Sequence, residues 1–293
     1  MSYLSNLQVH LAFVFINACV SIKQKKKNMW KKIRVLILLL ILATVIQNQW
    51  LDKNDKKWEK SLYVALYPIN ADNSAVADRT IQALNQEDFL ASRDYLEKQA
   101  TNYGLTLYHP FELRLAQAVS TLPPLPPKPS SIINTISWSL QFRWWAWRNS
   151  PSLLKTGEKM VKPGIKLYLL YYDPKTHPIL SHSTALNKGR IGLVNLFASH
   201  DHQATNLVIM THELLHTMDA TDKYNLADNM PAFPDGYAEP EKLPLFPQLT
   251  AELMGGRIPI SASKAEIPKN LGYTMIGVKT ATEIGWLKSA SAH

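Results

Sequence analysis

One cysteine, Cys19, stands alone in the 293-residue chain. It has no partner within the chain, which excludes a disulfide framework and leaves stability to a packed core and any bound metal. Glycine is sparse as well, 11 in all, and no phosphate-binding glycine loop, serine triad pattern or internal repeat occurs. Loop-cradled nucleotides, serine hydrolysis and a repeat architecture are therefore set aside. Acid is missing from residues 1–50, which hold seven of the 32 Lys and Arg and none of the 23 Asp and Glu. The rest of the chain carries 25 basic against 23 acidic residues, so the formal +9 belongs to the amino terminus and gives no footprint for nucleic acid.

An apolar run of full bilayer length, about 20 residues, is also lacking. The longest is residues 33–46 (IRVLILLLILATVI), preceded by Lys23, Lys25, Lys26, Lys27, Lys31 and Lys32 and flanked by Trp30 and Trp50. A basic flank before an apolar run, with tryptophans at its ends, is the pattern of a signal anchor. No small-x-small cleavage site follows Ile46, so the expectation is an uncleaved single-pass membrane helix at residues 29–50, with the remainder periplasmic or extracellular. Residues 1–28 form an extension of uncertain status, with a second apolar stretch at 11–20, and Met29 is an alternative start.

The remaining chain, about 240 residues, is enough for one sizeable or two-lobed domain. Residues 61–69 (SLYVALYPI) read as a strand, 75–84 and 86–103 as helices, 104–109 as a short strand, and 165–172 (IKLYLLYY) as a buried strand. Strands and helices intermix, which implies an α/β or α+β fold with a mixed sheet. Residues 122–129 (LPPLPPKP) are too proline-rich for helix or sheet and form a linker or strap. They divide an amino-terminal α/β part, 51–130, from a second part, 131–293. Residues 137–148 (SWSLQFRWWAWR) read as an amphipathic helix whose tryptophans fill the core, with a membrane-interface contact or a substrate-side platform as the alternatives.

One segment carries chemistry. Residues 212–216 (HELLH) form an HExxH pattern, which this composition would produce by chance in about one sequence in a hundred. Residues 206–218 read as a helix, with Leu207, Thr211, Leu214 and Met218 as a buried stripe widened by Val208 and Leu215, and with Asp201 or Thr205 as cap. On such a helix His212 and His216 share one face and Glu213 stands beside them. Residues 190–199 (RIGLVNLFAS) form a strand before it, edge or central, along which a peptide could lie. A hydrolytic zinc site takes three protein ligands, and Asp222 qualifies as the third only if the helix breaks first, since six residues beyond His216 an unbroken helix has turned through about 240°. Asp219 is the place for that break, because Asp tolerates the left-handed conformation that ends helices.

Residues 212–222 (HELLHTMDATD) resemble the HExxHxxGxxD signature of metzincin zinc peptidases, with Asp219 where the family has glycine. Asp222-Lys223-Tyr224 is similar to a stretch of the immune-inhibitor-A-like secreted peptidases, and residues 251–256 (AELMGG) resemble the Met-turn. The whole chain is similar to an uncharacterised group of bacterial membrane-attached proteins assigned as peptidases, which implies no particular substrate. The resemblance implies a metzincin-like catalytic domain in which His212, His216 and Asp222 hold Zn2+, Glu213 is the general base, and a peptide or protein is the substrate. It leaves Glu252, on a helix expected after Pro247, as a rival third ligand, Met254 as metal floor or plain core, and Tyr224, Tyr237 and Tyr273 as candidates for an assisting tyrosine. Asp228, Asp235, Glu239 and Glu241 read as a solvated acidic loop, with a calcium site as the alternative. The function expected is a membrane-anchored zinc metallopeptidase; a zinc amidase acting on cell-wall peptides and a non-catalytic anchored binding factor are the alternatives.

Overall fold

The computed structural model describes residues 30–36, 38–39, 42–43, 53–127, 131–187 and 189–287. Two compact units result, Met1–Leu51 and Asp52–His293. In the first unit the described residues are helical and exposed; Cys19, Trp50 and much of the expected anchor lie outside them. Among the described residues no helix is long and apolar enough to cross a membrane.

The second unit is a mixed α/β fold. Its elements are β1 (Leu62–Asn70), α1 (Ala75–Ala83), α2 (Leu90–Asn102), β2 (Phe111–Leu115), α3 (Ile132–Arg148), β3 (Ile165–Tyr172), β4 (Thr184–Leu186), β5 (Ile191–Phe197), α4 (Gln203–His216), β6 (Ala251–Glu252), β7 (Ile258–Ser261), β8 (Lys264–Glu266), β9 (Thr274–Met275) and α5 (Val278–Glu283). The five-stranded sheet has the order β2-β1-β3-β5-β4. Four strands run parallel, in registers such as Val64↔Ile165 and Leu167↔Gly192, and β4 joins β5 antiparallel through Ala185↔Gly192. One sheet thus draws strands from both sides of the proline-rich segment.

β1 and β3 are buried on both faces, and so they appear in sequence as nearly unbroken apolar runs. Leu62, Val64 and Leu66 of β1 with Leu167, Leu169 and Tyr171 of β3 face a core shared with residues of α1, α2 and α4. Their alternates Ala65, Tyr67, Ile69, Tyr168 and Leu170 face a second core with Trp138, Phe142 and Trp145 of α3. Pro68, which has no N–H to donate, is tolerated in this central strand because its nitrogen lies on the same side as its carbonyl, which accepts from the Val119 N–H at 2.9 Å past the end of β2, so no donor is lost from the β1–β3 ladder.

Three local expectations are corrected and one open choice is decided. Residues 104–109 are not a strand: the strand is β2, whose FELRL alternation buries Phe111, Leu113 and Leu115. The strand expected at 190–199 is present as β5, and of the two places left open for it, edge or central, it takes the inner one, because β4 covers its outer side. Glu252 lies on the two-residue strand β6 and a 3-10 turn follows it, with no α-helix there. Neither Asp201 nor Thr205 caps the metal-motif helix: Ser199 caps a 3-10 turn, His200–His202, that runs directly into α4. The proline-rich segment, described to residue 127, acts as a strap, its Pro124 carbonyl accepting from Trp138 Nε1 at 2.8 Å.

Candidate metal centre

The buried face of α4, with Leu207, Thr211, Leu214 and Leu215, packs into the core beneath the sheet. Two polar contacts fix its position. The Asn206 side chain, 2% exposed, donates to the Phe197 carbonyl at 2.8 Å and accepts from the Phe197 N–H at 3.1 Å, so it continues the ladder of β5 into the helix. Thr211 Oγ1 lies 3.0 Å from Ser92 Oγ on α2.

The helix ends between His216 and Asp222. Asp219 adopts φ +72°, the left-handed conformation. The N–H of Ala220 donates to the Leu215 carbonyl at 3.1 Å and that of Asp219 to the His216 carbonyl at 3.2 Å, which is the Schellman pattern of helix termination. A non-glycine residue there needs support, and the Asp219 carboxylate receives it from Lys56 Nζ at 2.7 Å and Asn187 Nδ2 at 2.8 Å.

Turned by this break, Asp222 returns over the histidine face. Its Oδ1 lies 3.1 Å from both His212 Nε2 and His216 Nε2, and the two nitrogens are 3.0 Å apart. Each ring is aimed by its other nitrogen. His212 Nδ1 donates to the Leu253 carbonyl at 3.0 Å and His216 Nδ1 to the Ala220 carbonyl at 2.7 Å. A carbonyl only accepts, so each neutral ring turns a lone pair on Nε2 toward the shared centre. Three donor atoms so close repel one another unless a cation or proton lies among them. Zinc bonds of about 2.0–2.1 Å at tetrahedral angles require donor separations of about 3.3 Å, so the triangle is nearly of zinc size, and its two nitrogens and one oxygen suit that metal.

The electrostatics agree with this arrangement. Burial opposes a charge on Asp222, yet with no metal between them His212 and His216, donating through Nε2 when protonated, outweigh it and hold the carboxyl well below the usual carboxylate range. Burial likewise works against protonated His212, but Asp222 and Glu213 raise its proton affinity. Glu213, 6% exposed, lies within 4.8 Å of the imidazole donors, its pKa raised by desolvation, and its Oε2 has no hydrogen-bond partner.

Of the three tyrosines, Tyr224 stands at the site, its ring 6.3 Å from that of His212. Burial, with the nearby carboxylates of Asp222 and Glu213, pushes its hydroxyl up to about 12. Tyr237 packs instead between Phe233 and Phe246, and Tyr273 is exposed. Glu252 is turned to structural work: it accepts from Gly255 N at 2.8 Å, Gly277 N at 3.0 Å and Thr280 Oγ1 at 2.7 Å. Met254 is fully buried in the main core, on the turn whose Leu253 carbonyl aims His212. Among the described residues, Asp228, Asp235, Glu239 and Glu241 form no metal-sized cluster.

Residues without a local motif complete the frame. Glu283 of α5 accepts from the Thr221 N–H and hydroxyl, both at 2.9 Å, and from Lys223 Nζ at 2.7 Å, gripping the chain on each side of Asp222. The Lys223 N–H donates to the Met254 carbonyl at 2.8 Å, and its own carbonyl accepts from Ala232 N at 2.7 Å. Gly236 and Gly255 stack backbone on backbone beneath it: a Cβ on Gly236 would run into the Lys223 carbonyl oxygen, and one on Gly255 into that of Gly236. Sixty residues separate Glu283 from Lys223, so no spacing rule announces the pair. No protein-family model matches this chain, and neither does any curated protein.

Proposed function

We propose that this chain is a zinc-dependent metallopeptidase of metzincin type, in which His212, His216 and Asp222 hold the metal. The observation that carries this reading is the convergence of two Nε2 atoms and one carboxylate oxygen, 3.0–3.1 Å apart, beside a buried carboxylate with an unpartnered oxygen. Zinc, when bound, supplies Lewis acidity toward a peptide carbonyl and lowers the pKa of water in contact with it.

The protein's own groups do the rest. Glu213, whose proton affinity is raised by desolvation, takes the proton of the attacking water and returns it to the leaving amine. Tyr224 keeps its proton at neutral pH and donates a hydrogen bond to the oxyanion. β4, the antiparallel outer strand against which α4 packs, offers a rail for an extended substrate. The basic and apolar pattern of residues 23–46 supports attachment to a membrane, with the catalytic unit outside the cell or in the periplasm.

The test is zinc stoichiometry together with hydrolysis of a peptide library by wild type and Glu213→Gln. One zinc per chain in both, with turnover in the variant lower by about 10²–10⁴, is the expected result. Unchanged turnover removes Glu213 as base, and a wild type without zinc removes the mechanism. Release of fragments from peptidoglycan in place of library peptides would reassign the substrate class to cell-wall peptides.

A further inference from the structure

The helix α3 has two apolar faces, and the protein uses only one. Trp138, Phe142, Trp145 and Ala146 are buried against the sheet. On the other side Ile132, Ile133, Ile136, Leu140, Trp144 and Trp147 are each between 56% and 81% exposed. At 100° per residue these six span an arc of about 120°, and the buried set occupies the opposite side. Asn134, Ser137, Gln141 and Arg148, all exposed, separate the two faces along one flank. The strap bonded to Trp138 adds exposed Leu122 and Leu125.

We infer that this face is a second membrane contact, lying in the headgroup and acyl boundary of an anionic lipid bilayer. Charge is the first argument. No Asp or Glu occurs in α3 or in the strap before it, and Arg148, exposed beside the apolar face, is basic. A face without acid and with a base at its edge is complementary to anionic headgroups. The order of residues is the second. Isoleucines and leucine occupy the first half of the exposed stripe, and Trp144, Trp147 and Arg148 the last turn, with the Arg148 guanidinium 5.0 Å above the Trp144 ring. Tryptophan and arginine at one end of an aliphatic face are interface residues, apolar in body and polar at the tip. The third argument is breadth. Pairing with a second copy of α3 favours a narrow seam with charges of both signs beside it. This face is wide, carries two bulky indoles and has no acid to meet Arg148. The inference uses neither the metal site nor the apolar run at residues 33–46, and it fails or stands independently of both.

A test uses the full chain with Cys19→Ser and a single new thiol carrying an environment-sensitive fluorophore, at Leu140→Cys on the face or at exposed Ser263→Cys in the β7–β8 turn. The proteins are reconstituted into vesicles of phosphatidylethanolamine and phosphatidylglycerol, with or without brominated acyl chains. The Leu140 label should shift to the blue and lose at least about half its emission to the brominated lipid, while the Ser263 label does neither. A Leu140 label that stays at its aqueous emission overturns the inference. So does one that shifts to the blue without quenching by bromine, because protein then covers the face. Repetition at Ile133→Cys guards against a local effect of one substitution.

Discussion

At the scale of single residues, Asp219 shows how a side chain substitutes for a missing glycine. The left-handed conformation disfavours every L-residue with a Cβ, by roughly 1–2 kcal/mol, and least for Asn and Asp. Here the ion pair with Lys56 and the bond from Asn187 offset that strain. Asp219→Gly should therefore change stability by less than about 1 kcal/mol, because relief of strain opposes the lost contacts. Asp219→Val, β-branched and unable to accept either bond, should lose more than about 2 kcal/mol in urea unfolding and weaken zinc binding at the same time. Equal losses in the two variants would mean that the carboxylate's contacts, and not the backbone, set the cost. The turn at Asp219 was legible from residue type alone. Its supporters were not, since Lys56 and Asn187 lie 163 and 32 positions away.

Between elements, two polar clamps set the metal helix and the returning chain. Asn206→Ala leaves the N–H of Phe197 without its acceptor, although the Phe197 carbonyl keeps the Ser199 N–H at 3.0 Å, which should destabilise by about 1–3 kcal/mol in denaturant titration. A loss below about 0.5 kcal/mol would show that water takes over those bonds. The Glu283 clamp is sensitive to pH. Burial opposes its charge, but Lys223 and Thr221 prevail and hold its pKa below the ordinary 4.5. A lowered folded-state value means that the clamp stabilises fully above about pH 4.5 and loses that contribution as pH falls through the folded value. Metal-free wild type should therefore exceed Glu283→Gln in Tm near neutrality, by a margin that closes in the acid range. A margin constant with pH would mean that the carboxylate charge contributes nothing. Long apolar runs such as β1 and β3 could be read from sequence because both of their faces are buried. β2 was obscured by its shortness and by the extended chain before Pro110, and the outward half of α3 because composition does not say which of two apolar faces meets the sheet.

For the whole molecule, no disulfide can form within the chain, so bound metal becomes a stability term. Zinc at a hundredfold excess over its dissociation constant would add about 2.7 kcal/mol, which for a unit of this size corresponds to a Tm rise of about 5–10 °C. A chelator should abolish that rise in wild type, and neither zinc nor chelator should move the Tm of Asp222→Ala far. A wild-type Tm indifferent to both would show that the triangle of donors binds no divalent ion. Glu213→Gln should keep the rise in full, because the proposed role of that carboxylate is to take a proton from water and not to ligate the metal.

The two glycines under Lys223 extend this argument beyond the donors themselves. With no side chain between them, the backbones at Lys223, Gly236 and Gly255 lie against one another, with Lys223 one residue along the chain from Asp222. A methyl group at position 236 would run into the Lys223 carbonyl oxygen, and backbone there cannot swing aside as a side chain can, so Gly236→Ala should act as a wedge that displaces the chain beside Asp222 without altering any donor atom. Damage to this centre can thus originate in a residue with no chemistry of its own.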